Sequence, residues 1–453
     1  MSVFASWRAV RGLPRPIWLL CAATVVNRAG GMVLAFLALY VTQELGLTED
    51  QAGVLLVLYG VGSVVSALLA GRYSDRIGPP RVMTISLVAS GAILLAASFA
   101  RSFVMFAVLL TAWALFAEAF RPAAMATVNT GVPPARRKQA ISVFQVAINC
   151  GTTIGSGAGG FLYAAWPIAI FWVDGVTSLV AGVVLAATHG LVMTMVIPMT
   201  ALASKVATKA ANMPAMARAR ARGHVDAVRA VESALSPIAP LESAPLVADA
   251  FAPATTTSSA RSTLPAWRDA RLVALVAALF LVWIVVFQIL GALPLTLVRY
   301  RGLSESQYGV LLGIESLLTV FVALPLTHWT QHWPHRRTLA VSALLVGVGF
   351  GGYAFAATFT SALLLMLVWS LGLILMFPAS SAYLAELAPD DRQGEYAGFY
   401  SASFSVAFAF GPGIGTFAYN HGGPEWVFGG CFVICAIAAT AFAFGRAPAA
   451  HAT

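Results

Sequence analysis

The chain has 453 residues, 59% of them hydrophobic and only 10% charged, with a formal net charge of +9. Soluble domains carry about 25% charged residues, so this composition excludes a water-soluble globular protein and is that of a membrane protein. The positive charge is mostly arginine, since lysine occurs only at Lys138, Lys205 and Lys209.

A spanning helix needs about 20 mostly apolar residues. The first apolar run follows Arg8, Arg11 and Arg15 and extends from Ile17 to about Val41. That is too long for the core of a signal peptide, and no small-residue cleavage site follows, so it reads as a retained first helix. Further runs lie near 51–71, 82–100, 103–130, 139–164 and 167–192. After a polar stretch come 272–298, 307–328, 338–357, 360–387, 395–420 and 425–445. The expected fold is an all-α integral membrane protein of twelve transmembrane helices in two pseudo-symmetric six-helix bundles, residues 1–192 and 272–453.

The stretch between them, 193–271, is rich in Ala, Arg, Ser, Pro and Thr and is expected to be a cytoplasmic linker. Residues 201–235, with Lys205, Lys209, Arg218, Arg220, Arg222 and Arg229, suit a helix on an anionic leaflet. Ser236–Pro265 reads as a tether. With both termini cytoplasmic, Arg72, Arg76, Arg81, Arg136, Arg137, Lys138, Arg336, Arg337 and Arg392 fall inside. Only Arg101, Arg299 and Arg301 fall outside, which obeys the positive-inside rule. The basic charge is thereby explained as topology, with no need for nucleic acid.

An offset of 256 residues lays Gly71, Asp75, Arg76, Gly78 and Arg81 over Thr327, Gln331, His332, Pro334 and Arg337. It also lays Gly155-Ser156-Gly157-Ala158-Gly159 over Gly411-Pro412-Gly413-Ile414-Gly415, as an internal repeat would. Cys21, Cys150, Cys431 and Cys435 sit in apolar segments without His or acid partners at ligand spacing, which argues against a metal site or a disulfide framework.

Ionisable residues inside hydrocarbon are costly and are expected to face an interior cavity. They are Arg28, beside Asn27, in segment one; Glu118 and Arg121 in segment four; Asp174 in segment six; and Glu315 in segment eight. Glu118 and Arg121 are three apart and share a helix face. Cations beside Glu118 favour its ionised form, whereas Glu315 has no basic residue within a helical turn. Glu315 is therefore the first candidate to carry a proton, and Asp174 the next. Two arginines against one glutamate leave a positive charge for an anionic group or for Asp174. Gln145, Asn149 and Thr153 line one face of segment five. Trp283, Phe287 and Gln288 in segment seven, and Trp369, Met376, Ser380 and Tyr383 in segment ten, suit a cavity for amphipathic ligands.

The turn Gly71-Arg72-Tyr73-Ser74-Asp75-Arg76-Ile77-Gly78-Pro79-Pro80-Arg81 resembles the signature between helices two and three of the major facilitator superfamily, matching at Gly71, Asp75, Arg76 and Gly78, with Arg81 as the trailing basic residue. Gly151, Gly155, Ser156, Gly159 and Gly160 resemble the antiporter motif of segment five, with Ser156 in place of proline. With Asn27-Arg28 and Phe120-Arg121-Pro122-Ala123, the chain is similar to the bacterial drug:proton antiporters of that superfamily. The resemblance implies proton-coupled efflux of small amphipathic compounds by alternating access, from a monomer in the bacterial inner membrane, with protons, substrate and lipids as partners and no cofactor. An organic-anion symporter or uniporter centred on Arg28 and Arg121, and a non-transporting sensor or scaffold, are the alternatives. The absence of a Gly-Lys-Ser/Thr loop, of His-Glu-x-x-His and of Gly-x-Ser-x-Gly argues against an ATPase or a hydrolytic enzyme.

Overall fold

The computed structural model describes residues 13–132, 137–187, 266–389 and 392–444, and no strand occurs among them. Arg8, Arg11, Arg136 and the linker through Pro265, including the basic stretch 201–235, lie outside the described residues, as do the side chains of Asp75, Arg137 and Lys138.

The first half comprises α1 (Arg15–Gly30), α2 (Val33–Gln43), α3 (Glu49–Ile77), α4 (Pro79–Ala97), α5 (Phe103–Ala117), α6 (Phe120–Gly131), α7 (Arg137–Ala165) and α8 (Ala169–Ala187). The second comprises α9 (Ala270–Val286), continued by short 3-10 and π turns to Tyr300, then α10 (Glu305–Thr330), α11 (His335–Gly352), α12 (Phe359–Leu387) and α13 (Gln393–Phe444). Among the described residues, 10 helical runs are long and apolar enough to cross a membrane. The last is broken at Gly423, where φ is 75° and ψ 177°. The 29-residue α7 stands outside those runs because its Gly, Ser, Thr, Asn and Gln lower its hydropathy.

One local expectation changes. The Gly71–Ile77 part of the signature is not a loop but the last turns of α3. Gly78 alone turns the chain, with φ 88°, a left-handed value that a side chain would strain. Pro79 and Pro80 then open α4, where a missing N–H costs no helical bond.

The 256-residue offset runs through the whole fold. Helices start at Glu49 and Glu305, Pro79 and His335, Phe103 and Phe359, and Arg137 and Gln393. Equivalent caps start them: Thr48 with Gln51, and Ser304 with Gln307, form reciprocal capping boxes.

The halves meet where α7 packs on α10 and α3 on α13. Glycine makes the approach possible. A Cβ at Gly160 would lie 2.8 Å from the Gly309 Cα, and one at Gly60 only 2.1 Å from the Ala409 Cα. Nearer the end that carries residues 44–48, 301–304 and 421–424, Arg299 donates to Glu49 at 2.6 Å and Asn420 to Asp50 at 2.8 Å. Phe36 meets Tyr308 edge-on there. Among the described residues, the ring, glycine and polar contacts between the halves reach as deep as Tyr59 on Phe408 and Thr153 beside Gly313, and stop there. These contacts latch the halves together at that end. Gly160→Leu should wedge this seam and lower the apparent Tm in detergent, because a side chain forced into a filled contact costs about 1–3 kcal/mol; an unchanged Tm with an intact circular-dichroism spectrum would show that the seam is not tight.

Candidate functional site

At the depth where the seam ends, two helices of the first half are interrupted, and each interruption carries charge. The span Arg15–Gln43 breaks between Gly30 and Val33, two residues after Arg28. The Val33 N–H, released from the helical ladder, donates to the Asp174 carboxylate on α8. Asp174, 3% exposed, also accepts from the Ser178 hydroxyl, and Ser178 in turn accepts from Asn27 at 3.0 Å. The second break separates α5 from α6 at Glu118 and Ala119. Its cause is Pro122, which has no N–H to offer the Glu118 carbonyl four residues back. Glu118 therefore stands at a helix end, and the Tyr59 hydroxyl donates to its Oε1 at 2.8 Å.

Tyr59 lies within electrostatic reach of Glu118, Arg28 and Asp174, and Arg121 within reach of Arg28 and Glu118. The structure thus gathers Asn27, Arg28, Glu118, Arg121 and Asp174 into one polar cluster of the first half. Formally it holds two cations and two anions, but they do not pair. Among the described residues neither arginine contacts a carboxylate, the Arg28 Nε is buried without a hydrogen-bond partner, and Arg121 is exposed.

The glycine-rich α7 holds Arg28 in place. A Cβ at Gly151 would sit 2.6 Å from the Arg28 Cβ, and one at Gly155 2.6 Å from the Arg28 carbonyl oxygen. Gly159 backs on Met32 and Phe36, while Gly160 and the buried Ser156 turn to α10 of the other half. The repeat reproduces this: Gly411 meets Ile284 and Phe287, Gly415 meets Gln288, and Gly413 meets Gly53 across the seam. Lower on α7, Gln145 is exposed and donates to Asn149 at 3.3 Å.

Two candidates lie elsewhere. Gln288, 2% exposed, donates to the Ile284 and Gly411 carbonyls and ties α9 to α13 within the second half. Glu315 faces Ser316 and Thr319 of its own helix, each at 3.4 Å, near Tyr353, whose hydroxyl accepts from Trp369. The signature residues Arg76, Gly78 and Arg81 stand at the α3–α4 turn, away from the cluster.

Rings complete the site. Trp283 packs on Phe377 and Phe404, Phe287 on Phe404 and Phe408, Phe408 on Tyr59, and Tyr59 on Trp113, with centroids 4.9–6.0 Å apart. This run crosses from the second half to the polar cluster of the first. Sequence reasoning missed Tyr59, Phe404 and Phe408, which look like ordinary apolar positions. The offset held a hint, since it lays Tyr59 on Glu315 and Trp113 on Trp369.

A repeated helical bundle with charges at broken helices in mid-span is a membrane transporter, not an enzyme. The profile of the Major Facilitator Superfamily matches residues 20–296 and 272–453, and the chain belongs to that family. It is 20% identical over 419 residues to a Na(+), Li(+), K(+)/H(+) antiporter of Planococcus maritimus, covering 85% of each protein. It is 25% identical over 130 residues to the multidrug resistance protein MdtH of Aeromonas salmonicida, covering 28% of this chain and 32% of that one. A crystal structure of a mutant peptide transporter POT in complex with alafosfalin shares the fold, with a TM-score of 0.67 at 17% identity over 94% of both chains.

Tyr59→Phe should leave the helices intact but remove one hydrogen bond to a charged acceptor, worth about 1.5–3 kcal/mol. The apparent Tm in detergent should fall, and an unchanged Tm would show that Glu118 is not held by Tyr59.

Proposed function

We propose that the protein is a proton-coupled secondary transporter that moves small amphipathic compounds by alternating access, with the first-half polar cluster as its substrate and proton site. One observation carries the reading: among the described residues, side-chain hydrogen bonds join the halves at the end of Glu49 and Arg299, and deeper along the same seam stands a cluster whose two arginines contact no carboxylate. Rocking of the halves about this level would expose the cluster to each side in turn. We place both termini and the linker in the cytoplasm of a bacterial inner membrane, because Arg72, Arg76, Arg81, Arg336 and Arg337 lie at the end opposite the latch.

The likeness to an antiporter and to a multidrug resistance protein supports proton-driven efflux. The two arginines without carboxylate contacts support the second reading, symport of an organic anion with a proton. A pH gradient imposed on proteoliposomes separates them. Efflux by antiport accumulates substrate on the acid side, whereas symport accumulates it on the alkaline side.

Glu315 and Asp174 both remain candidates for the proton. What supports Asp174 is its place beside Arg28, where protonation removes a negative charge from the cluster that meets substrate. Glu315 touches none of that cluster. Asp174→Asn should abolish pH-gradient-driven transport while counterflow persists, and Glu315→Gln should keep both. The reverse pattern would give the proton to Glu315.

A further inference from the structure

We propose that the site takes an aromatic carboxylate, its anionic head on Arg28 and Arg121 and its ring on Phe404 and Phe408, which the buried Trp283 and Phe287 back. The inference rests on the transporter reading above and names the substrate class of that site.

The charges decide the sign of the ligand. Both acids of the cluster are already engaged by neutral donors: Glu118 by the Tyr59 hydroxyl, Asp174 by the Val33 N–H and the Ser178 hydroxyl. Among the described residues neither guanidinium has an acceptor, and the Arg28 Nε is buried and unpartnered. A buried donor of a charged group without an acceptor is costly. A carboxylate supplies what the fork of a guanidinium lacks, two coplanar oxygens. A cationic ligand would find no free carboxylate and two positive charges.

The repeat decides the rest of the ligand. At the fixed offset Arg28 corresponds to Ile284, Glu118 to Ile374 and Arg121 to Phe377. The polar positions of the first half are therefore apolar in the second, and Phe377 packs at a tilt on Trp283. The ring run reaches the cluster through Phe408 and Tyr59. One side of the site offers cations and the other offers ring faces, so a fitting molecule is charged at one end and flat and apolar at the other.

The test uses benzoate, acetate and benzylamine as probes, titrated calorimetrically into the purified full-length protein. Benzoate should bind, and acetate, which lacks the ring, at least tenfold more weakly. Arg28→Gln and Arg121→Gln should each weaken benzoate about tenfold or more, the loss expected for one charge-assisted contact. Arg28→Lys keeps the charge but not the fork, so it should bind between wild type and Arg28→Gln even if the glutamine variant folds poorly. Phe404→Ala should weaken benzoate and leave acetate unchanged. Tighter binding of benzylamine than benzoate, or wild-type benzoate affinity in both Arg28→Lys and Arg121→Gln, would overturn the proposal. Counterflow in proteoliposomes distinguishes the levels of failure. Counterflow of a cationic dye without any of benzoate refutes the substrate class but leaves a transporter; no counterflow of either defeats the transporter reading on which the proposal stands.

Discussion

Hydrocarbon does not hydrate a broken backbone or a bare charge. That constraint shapes the middle of this molecule. The chain interrupts two membrane helices, after Gly30 and at Glu118, and at each interruption another element supplies what water would have supplied. Asp174 accepts the freed Val33 N–H, and Tyr59 reaches across from α3 to Glu118. Among the described residues, this local satisfaction leaves over two guanidiniums without carboxylate contacts. Breaks and charges therefore coincide: Asp174 meets the backbone donor that the first break frees, and Glu118 stands at the second break held by the Tyr59 hydroxyl.

The glycines of α7 set the distances on which that feature depends. Gly151 and Gly155 let α1 approach until Arg28 lies against the α7 backbone, Gly159 admits Met32 and Phe36, and Gly160 lets α10 approach from the other half. One helix thus positions the charge and forms part of the seam between the halves. The second half repeats the contacts with Gly411, Gly413 and Gly415 but not the chemistry, because Ile284 replaces the arginine. The repeat has kept its packing positions and lost its symmetry of charge, which gives the site a polar and an aromatic side.

Most of the architecture was legible in the sequence, because hydrophobic runs report the helices directly and the basic residues report their order. The run 17–41 became α1 and α2, and 51–71 was short only because the polar turns of α3 down to Ile77 look like a loop by composition. The charged positions were equally visible, since an arginine in an apolar run stands out. Their partners were not. Asn27 and Ser178 are 151 residues apart, and Tyr59 and Glu118 are 59 apart. Such contacts depend on which helix faces meet, and twelve apolar segments without an outer polar face do not announce their orientation. Glu315 shows the limit most clearly. It carries the same signal as Asp174, a lone acid in a spanning helix, yet it faces its own helix and Tyr353 instead of the first-half cluster.

The two-faced use of glycine on α7 has a consequence for how the chain tolerates length changes. A helix advances about 100° per residue, so adding one residue between Gly151 and Gly155 would rotate every later position by that angle. Gly159 and Gly160 would swing away from α2 and α10, and bulkier neighbours would take their places at contacts closer than a methyl group permits. The connecting turns can absorb an extra residue, but this stretch behaves as a reading frame, in which a shift by one unit scrambles both of its messages at once.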